Sequence, residues 1–411
     1  MLHHLSSVAR RENDMRAMHR FCSGALLLAA AAHAADELQL EFELNNGNKF
    51  PAVGLGIGNM QRDRIPGVLG TAMLQHGVQL VDTAMASNTD AALRDTRGLQ
   101  VVTKVWYTHL GYGRTKLAVE DMLAGLNGCC AVTMLLHWPR CRDDISWMHC
   151  EEEEANLPQR VKDAGPPPAP DAWKGSWTAL EEFYAAGKLK NIGISNFELP
   201  DLNELLSSCK TVPQIYQGNA WQLWFRPEVL QRLSEKNVLY QAYNVVNGIV
   251  TREGAAPRAY RVLADVARAK NADVGTVVLA ALKRRGVATI PRASSPQHLA
   301  ANAPQAVASI ALDDEEVHTI DAAMKALMSG RDLPPEQPVV ATFTSSLDAA
   351  VRLFWRNPDT GEEVLNGEVS GGDGLRIHTH PGHTFRAYRG DELVRSFTVT
   401  AERGGEEAFE L

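Results

Sequence analysis

Residues 100–138 have the sequence QVVTKVWYTHLGYGRTKLAVEDMLAGLNGCCAVTMLLHW, in which two apolar, β-branched runs, 100–105 and 132–138, flank a longer segment. Each run is apolar at consecutive positions, as in strands of a parallel sheet that are covered on both faces. Two parallel strands need a crossover of about a dozen residues or more between them, usually an α-helix. The stretch therefore predicts a strand–helix–strand unit.

The same alternation continues over most of the chain. Segments with helical spacing, such as 177–187, 227–236 and 276–286, lie between further strand-like runs. The strand-like runs are 53–58, 78–84, 100–105, 132–138, 190–196, 214–220, 238–244 and 287–293. Eight strands that are each followed by a helix predict the α/β class and a (β/α)8 TIM barrel.

The segments on either side of this pattern have their own signals. Asn46-Gly47 lies between two alternating runs and predicts a hairpin, which we expect to close the bottom of the barrel. Towards the end of the chain, short alternating runs are separated by Gly, Asp and Pro turns, which predicts a small antiparallel β-sandwich. The predicted organisation is an N-terminal extension 1–35, a barrel 36–330, a linker 331–346 and a β module 347–411.

Two parts of the predicted barrel are irregular. Residues 140–170 predict a long, charged, Pro-rich loop at the catalytic end of the barrel. Within it, the run Glu151 to Glu154 is typical of a solvated face rather than a metal site, because consecutive carboxylates do not converge on one ion. The crossover 85–99 is close to the minimum length for one that contains a helix.

The N-terminal extension has the pattern of a targeting segment. Arg16 and Arg20 precede the apolar run 21–32, and Ala-His-Ala at 32–34 follows it, as at the cleavage site of a signal peptide. A signal peptide would place the protein in the secretory pathway or an organelle lumen. The alternative is an Ala-rich helix packed on the fold of a cytoplasmic protein.

The amino-acid composition excludes several classes of protein but does not identify one. Hydrophobic residues make up 45% and charged residues 22% of the 411 residues, which excludes wholesale disorder, collagen and a coiled-coil rod. Acidic residues outnumber basic ones, 49 to 41, so a nucleic-acid partner is not expected. No apolar run is long enough for a transmembrane helix, and the six cysteines have neither the density of a disulfide scaffold nor the spacing of a metal site.

Polar residues at the carboxyl ends of barrel strands are the candidates for catalysis. Asp82, Lys104 and His137 follow or end three consecutive strands, and a lysine cation beside an acid lowers that acid's pKa. His137 could orient a carbonyl oxygen through a hydrogen bond. The remaining candidates are Ser195, Asn196 and Gln217, which could hold a carboxamide, Tyr243, which offers a stacking face, and the run Arg292 to Ser295. Together they suit the nicotinamide half of a dinucleotide, although each could instead be a satisfied structural residue.

Five stretches resemble the signature of the aldo-keto reductase superfamily, in the same order and at comparable spacing. They are GVQLVDTA (77–84), VVTKVW (101–106), LLHWP (135–139), GISNF (193–197) and IPRASSPQHLAAN (290–302). The resemblance covers roughly residues 40–325. It implies a (β/α)8 barrel that uses NADP(H), without metal or flavin, to transfer a hydride to a small aldehyde or ketone.

The resemblance also implies a catalytic tetrad with one member replaced. Asp82, Lys104 and His137 take three of its positions, and Ser87 stands where the family has a tyrosine that protonates the forming alkoxide. A serine hydroxyl is a poor substitute as a general acid, so we expect weakened activity. A rescue would need His137 or a tyrosine from a nearby loop, Tyr107 or Tyr112.

For cofactor and substrate, the resemblance implies a further set of contacts. Ser195, Asn196 and Gln217 would bind the carboxamide, and Tyr243 would stack on the nicotinamide. Arg292 stands where the family commonly has a lysine on the 2′-phosphate, which favours NADP(H) over NAD(H). The other implied cofactor contacts are Ser294, Ser295, His298 and Asn302, and the implied substrate contacts are Trp106 and Trp138.

The β module has a resemblance of its own. Residues 374–391, GLRIHTHPGHTFRAYRGD, resemble the β domain of the von Hippel–Lindau tumour suppressor, which binds a hydroxyproline-containing peptide. By position, Thr379, His383 and Phe385 would be pocket residues. A module that only stabilises or tethers the barrel is the alternative. For the whole chain, the alternative to a weakened reductase is an inactive nucleotide-binding scaffold whose β module binds a peptide or protein partner.

Overall fold

The computed structural model describes residues 39–87, 90–93, 96–250, 252–334, 338–346, 349–357, 360–401 and 404–411. The chain divides into two compact units, with the division between Leu333 and Pro334. The predicted targeting segment 1–35 lies outside the described residues, so its interpretation stays a prediction.

The first unit contains a barrel of parallel strands. The strands of this unit are β1 Glu41–Glu43, β2 Lys49–Pro51, β3 Leu55–Gly56, β4 Leu80–Asp82, β5 Gln100–Val105, β6 Ala131–Leu136, β7 Asn191–Ser195, β8 Ile215–Asn219, β9 Leu239–Tyr243 and β10 Ala288–Thr289. Strands β3 to β10 pair in parallel and in sequence order. The sheet closes where the Gly54 amide donates to the Thr289 carbonyl at 2.8 Å and the Thr289 amide donates to the Ala52 carbonyl at 2.8 Å. The predicted (β/α)8 TIM barrel is confirmed.

Helices follow the strands and bury their apolar faces against them. The α-helices are α1 Ile65–His76, α2 Tyr112–Leu126, α3 Cys150–Ala155, α4 Gln159–Asp163, α5 Trp173–Ala185, α6 Leu199–Ser208, α7 Gln222–Phe225, α8 Pro227–Ser234, α9 Val245–Val250, α10 Pro257–Ala269, α11 Val274–Arg284, α12 Pro296–Ala301, α13 Pro304–Ala308 and α14 Asp314–Ser329. Asp313 and Glu316 form a capping box that fixes the start of α14. Within the described residues, no helix is both long and apolar enough to cross a bilayer.

The crossover between β4 and β5 departs from the regular pattern. Its described residues form two 3-10 helices, Met85–Ser87 and Asp90–Leu93, and no α-helix. Leu93 is fully buried, so the segment still covers this side of the barrel. The short crossover predicted from the sequence thus places Ser87 on a 3-10 turn directly after β4.

The hairpin of β1 and β2 closes the bottom of the barrel, as predicted. Its two strands pair antiparallel, and Phe42 lies opposite Phe50. Both rings pack in one apolar cluster with barrel-interior side chains that include Leu80, Leu135 and Ile215. The barrel therefore has a packed interior, and its open end is the opposite one.

Residues 140–170 are more ordered than the single irregular loop that we predicted. They contain the short helices α3 and α4, and a disulfide bond joins Cys141 to Cys150. A second disulfide joins the neighbouring residues Cys129 and Cys130. The sequence did not predict either pairing.

The second unit is a sandwich of two sheets. Its strands are β11 Val339–Thr344, β12 Val351–Arg356, β13 Glu363–Val369, β14 Gly374–Thr379, β15 Thr384–Arg389, β16 Glu392–Thr398 and β17 Glu406–Glu410. The sheet orders are β14-β11-β17 and β13-β12-β15-β16, and all pairs are antiparallel except β11 with β17. Strand β11 begins at Val339, inside the segment predicted as a linker, because its alternating apolar residues Val339, Ala341 and Phe343 are core residues.

Candidate active site

The open end of the barrel holds a buried ion pair. Lys104, near the end of β5, donates from Nζ to Asp82 Oδ2 at 2.7 Å and to the carbonyl oxygen of Thr83 at 2.6 Å. Lys104 is only 3% exposed. A buried ammonium is tolerated where a carboxylate and further hydrogen bonds surround it, and this site provides both. Two of the predicted catalytic residues are therefore in direct contact.

His137 follows β6 directly and is kept neutral. Burial, and then the charge of Lys104, lower the pKa of His137 well below its usual value. Its Nδ1 is buried and has no hydrogen-bond partner in the described part of the protein. Since an unsatisfied buried nitrogen costs free energy, a ligand or water at this ring would be favoured. His137 therefore lies within the electrostatic reach of Lys104, as a neutral hydrogen-bonding group.

Ser87 supplies no acidic group comparable to a phenol. It is half-buried, and its Oγ lies 3.5 Å from the position that a Cβ on Gly58 would take. Among the described residues, its hydroxyl makes no hydrogen bond to Asp82, Lys104 or His137. The position that the family resemblance assigns to a tyrosine thus carries a short side chain on the 3-10 turn after β4.

Neither of the two nearby tyrosines replaces the missing one. The Tyr107 hydroxyl donates to Glu153 Oε1 at 2.5 Å, and burial together with this carboxylate raises the pKa of Tyr107. The Tyr112 hydroxyl donates to the carboxylate of Glu182 on the exposed side of α2. Both phenols donate to carboxylates and, among the described residues, neither makes a hydrogen bond with Lys104, so the structure does not support a rescue by either.

Gln217 reinforces the ion pair. Its Nε2 donates to Asp82 Oδ2 at 2.7 Å and to Gln241 Oε1 at 2.8 Å. Sequence reasoning missed Gln241, although it lies two residues before Tyr243 on β9, a spacing that puts both side chains on one face of a strand. Gln217 thus has a structural role in addition to the cofactor contact that was predicted for it.

Asn196 connects three of the predicted residues. Its Nδ2 donates to the His137 carbonyl and to Ser195 Oγ, both at 3.0 Å, and its Oδ1 accepts from the Tyr243 hydroxyl at 2.8 Å. Its backbone is left-handed, with φ of 59°, which asparagine tolerates better than most residues. Burial raises the pKa of Tyr243 to about 12, so its hydroxyl stays protonated. The structure brings these side chains together, with the Asn196 amide engaged by its neighbours.

The segment after β10 lies at the surface. Arg292 is exposed and makes no ion pair with the described part of the chain, whereas Ser294 is half-buried. Ser295 caps α12, and its Oγ accepts from the backbone amide of His298 at 3.2 Å. The backbone amide of Asn302 donates to the His298 carbonyl at the other end of this helix. The structure leaves the Arg292 guanidinium available to an anion.

Trp106 belongs to a network that sequence reasoning missed. Its Nε1 donates to Glu153 Oε2 at 2.6 Å, so one carboxylate holds both Trp106 and Tyr107. The neighbouring Glu154 makes a two-bond ion pair with Arg114, which is 1% exposed. The prediction of a solvated Glu151–Glu154 face is therefore wrong for its second half, because helix α3 turns those two carboxylates inward.

A cleft of about 460 Å³ opens beside Trp106. It connects the turn that carries Ser87 with helix α3. Its lining residues are Met85, Ala86, Trp106, Thr108, His109, His149, Glu152, Glu153, Asn156 and Leu157. The other predicted substrate residue, Trp138, is half-buried and has its ring 5.8 Å from that of Trp147. No residue pattern in the sequence distinguished Trp147 in advance.

In the β module, two of the three predicted pocket residues are in contact. Thr379 Oγ1 and His383 Nδ1 are 3.0 Å apart, and the Trp355 ring lies 5.3 Å from the His383 ring. Burial, and then His380, lower the pKa of His383. Phe385 is 1% exposed and packs among the core phenylalanines, so it stabilises the sandwich and does not line a surface pocket.

Comparison with known proteins shows similarity over about 70% of this chain. The sequence profile of the Aldo/keto reductase family matches residues 58–325. Uncharacterized oxidoreductase YtbE of Bacillus subtilis is 25% identical over 309 residues, 72% of this chain and 96% of that protein. Morphine 6-dehydrogenase of Pseudomonas putida is 25% identical over 293 residues, 68% of this chain and 89% of that protein.

Solved structures show the same fold. An aldo/keto reductase of Brucella melitensis superposes with a TM-score of 0.55 at 20% identity, covering 70% of this chain and 98% of the other. An aldo-keto reductase solved in complex with NADPH also superposes with a TM-score of 0.55 at 20% identity, covering 72% of this chain and 90% of the other.

Proposed function

Because the chain belongs to the aldo/keto reductase family, we propose that it is an NADP(H)-dependent oxidoreductase, weakened by the serine at position 87. Its reaction would be hydride transfer between NADPH and a small aldehyde or ketone. The observation that carries the proposal is the buried Lys104–Asp82 ion pair beside a neutral, partly unsatisfied His137. Since a buried ion pair is often no more stabilising than packed apolar residues, its position at the open end of the barrel favours a role in chemistry.

Some of the predicted cofactor-binding residues are free to contact NADP(H), and others are already engaged by their neighbours. The unpartnered Nδ1 of His137 and the unpaired guanidinium of Arg292 are groups that a ligand could satisfy. Arg292 would hold the 2′-phosphate and Tyr243 would offer its ring to the nicotinamide. The Asn196 amide and both hydrogens of Gln217 Nε2 are committed to their neighbours, so of these two side chains only Gln217 Oε1 would be left to accept a hydrogen bond from a carboxamide. A related structure contains NADPH, which supports this choice of cofactor.

The chemistry divides between the cofactor and the chain. NADPH, when bound, supplies the hydride. The neutral His137 donates a hydrogen bond to the substrate carbonyl and orients it, while the fixed charge of Lys104 stabilises the negative charge that develops on the oxygen. The alkoxide then needs a proton, and the hydroxyl at position 87 is aliphatic, hence far less acidic than a phenol. General acid catalysis contributes about 10²- to 10⁴-fold, so turnover is expected to be slow by about this factor.

Fluorescence titration with NADPH, with NADH as the comparison, tests cofactor binding. We expect NADPH to bind more tightly, and Arg292→Ala to remove most of that preference while NADH binding changes little. Aldehyde-dependent oxidation of NADPH by the full chain then tests the reaction, and slow turnover is the expected result. Absence of NADPH binding would overturn the proposal.

A second candidate is an inactive nucleotide-binding scaffold whose β module binds a peptide. Ser87 favours loss of activity, and the contact among Thr379, His383 and Trp355 provides a polar and aromatic patch. By its resemblance to the von Hippel–Lindau β domain, the module would take a hydroxyproline-containing peptide. Titration with matched peptides containing hydroxyproline or proline tests this, with His383→Ala as the variant that should lose binding. Equal affinity for the two peptides would reject it.

We also propose that the protein folds in an oxidising compartment, the secretory pathway or an organelle lumen. The predicted targeting segment and the two disulfides, Cys129–Cys130 and Cys141–Cys150, support this location over the cytoplasm. Titration of free thiols in the unfolded, unreduced protein tests it. Thiol reactivity at all four of these cysteines in protein from its native source would contradict it.

A further inference from the structure

We propose that Gln241 is a positioning residue for cofactor recognition and acts through its neighbour Gln217. Gln241 holds the Gln217 side-chain amide so that Gln217 Oε1 is left to accept a hydrogen bond from the carboxamide N–H of NADP(H). The inference rests on the proposed function and deepens it by naming a residue on which recognition of the cofactor depends. Neither the sequence motifs nor the family resemblance pointed to Gln241.

Gln217 and Gln241 are direct neighbours in the barrel. They lie opposite each other on the parallel strands β8 and β9, and both are buried. Gln217 Nε2 donates to Asp82 Oδ2 at 2.7 Å and to Gln241 Oε1 at 2.8 Å. Gln241 is therefore connected, through Gln217, to the carboxylate that also holds Lys104.

These contacts fix the orientation of both side-chain amides. A carboxylate accepts hydrogen bonds, so the nitrogen of Gln217 faces Asp82, and Gln241 offers its oxygen to the second hydrogen of that nitrogen. Both hydrogens are then used, and Gln217 Oε1 makes no hydrogen bond with the described part of the chain. With Asp82 alone, the amide would be held at one hydrogen and could turn about that contact. Gln241 therefore determines the direction in which Gln217 Oε1 points.

A role in stability alone does not account for Gln241. Its side chain is fully buried, and its Nε2 has no hydrogen-bond partner among the described residues. Within that part of the chain, its side chain makes one hydrogen bond, the one that it accepts from Gln217. An unsatisfied buried donor costs free energy that an apolar side chain of similar size would not cost. The contact with Gln217 therefore favours a positioning role over a stabilising one.

A fixed acceptor oxygen selects a ligand that carries an N–H group. The carboxamide of NADP⁺ has this group, whereas the 3-acetylpyridine analogue of NADP⁺ has a methyl group in its place. The Asn196 amide is engaged by its neighbours, so Gln217 Oε1 is the acceptor that remains for the N–H. We expect the wild type to bind NADP⁺ about three- to tenfold more tightly than the analogue, the factor for one hydrogen bond.

Calorimetric titration of the full chain with NADP⁺ and with its 3-acetylpyridine analogue measures this preference without turnover. Gln241→Met nearly keeps the size of the side chain and removes the acceptor, so it should abolish most of the preference. The midpoint of urea denaturation should change little, because the unsatisfied donor is removed as well. Thr289→Val is the matched control, because it removes another buried and unpartnered polar atom, from the adjacent strand β10, and it should keep the wild-type preference.

Two further variants test whether Gln241 acts through Gln217. Gln217→Met should also abolish the preference, and Gln217→Met/Gln241→Met should bind NADP⁺ as tightly as Gln217→Met does, because the contact is already lost. Weaker binding to the double variant would show that Gln241 acts independently and would overturn the inference. Gln241→Asn, which is one methylene shorter, draws the acceptor away from Gln217 and should lose the preference even if the methionine variant does not fold.

The outcomes separate this inference from the proposed function. If Gln241→Met is destabilised and keeps the wild-type preference, Gln241 has a structural role and the inference is overturned. If the preference depends on Gln241 but aldehyde-dependent oxidation of NADPH is absent, the proposed function fails and this inference stands. If the wild type binds neither dinucleotide, both are overturned.

Discussion

Asp82 is the residue on which the site depends most directly. It accepts hydrogen bonds from Lys104 Nζ and Gln217 Nε2, both at 2.7 Å, from two other strands of the barrel. The sequence predicted the contact with Lys104, because both residues end neighbouring parallel strands. It could not predict the contact with Gln217, which depends on how the barrel closes across its interior.

The buried pair leads to a prediction about stability. Asp82→Leu should lower the free energy of unfolding by about 3 to 5 kcal/mol, because Lys104 would keep a buried charge without its partner. The double variant Asp82→Leu/Lys104→Met should recover much of this loss, since two apolar residues need no partner. Urea denaturation of the two variants measures both effects. A double variant less stable than the single one would contradict this account of the pair.

His109 gives a pH dependence whose sign is fixed. Burial, and then Arg114, lower the pKa of His109 to about 4 in the folded protein, whereas an unfolded histidine titrates near 6.5. As the pH falls from about 6.5 to about 4, the unfolded chain binds a proton that the folded protein does not bind. Stability that is present above pH 6.5 is therefore lost over this range, by up to about 3 kcal/mol. In His109→Gln, the midpoint of denaturation should depend less on pH within this window. An identical slope in the variant would show that His109 is not the group responsible.

At the scale of elements, the strands could be predicted from the sequence, whereas the contacts of the loop helix α3 could not. All eight apolar runs became barrel strands, because a strand covered on both faces must be apolar throughout. The prediction of a solvated face for the run Glu151 to Glu154 is wrong for Glu153 and Glu154, which helix α3 turns inward. The inward contacts of Glu153 and Glu154 depend on Trp106, Tyr107 and Arg114, which are far away in sequence.

Helix α3 therefore offers a matched comparison between a glutamate in an ion pair and an exposed glutamate. Glu154→Gln should lower the free energy of unfolding by about 3 kcal/mol, because the buried guanidinium of Arg114 loses its counter-charge. Glu151→Gln on the same helix should change it by less than about 0.5 kcal/mol, because that side chain is exposed. Equal thermal stability of the two variants would show that the ion pair contributes nothing to α3.

At the scale of the whole molecule, the described residues form three apolar clusters, two in the first unit and one in the second. The sandwich core centres on Phe343, whose ring lies within 5.8 Å of those of Phe385, Phe397 and Phe409. The alternating runs predicted a sandwich, but the sequence could not show that β11 pairs in parallel with β17, because that pairing joins the two ends of the module.

The separate cores predict separate responses to mutation. Phe343→Ala should destabilise the β module by about 3 to 5 kcal/mol, as large-to-small changes in a packed core do. In calorimetry of the full chain, Phe343→Ala should shift one unfolding transition. The other transition and NADPH binding should be unchanged. Val364→Ala, at an exposed position of the same module, is the control and should shift neither transition. A loss of NADPH binding in Phe343→Ala would contradict this prediction.

Under the proposed function, the barrel has the charged and hydrogen-bonding groups of a carbonyl reductase and lacks a proton donor as acidic as a phenol. Ser87→Tyr tests it most directly, with Ser87→Phe as the control that adds the ring without the hydroxyl. In aldehyde-dependent oxidation of NADPH, we expect Ser87→Tyr to raise kcat by about 10²- to 10⁴-fold and Ser87→Phe to give no increase. A wild-type protein that turns over as fast as Ser87→Tyr would contradict the claim.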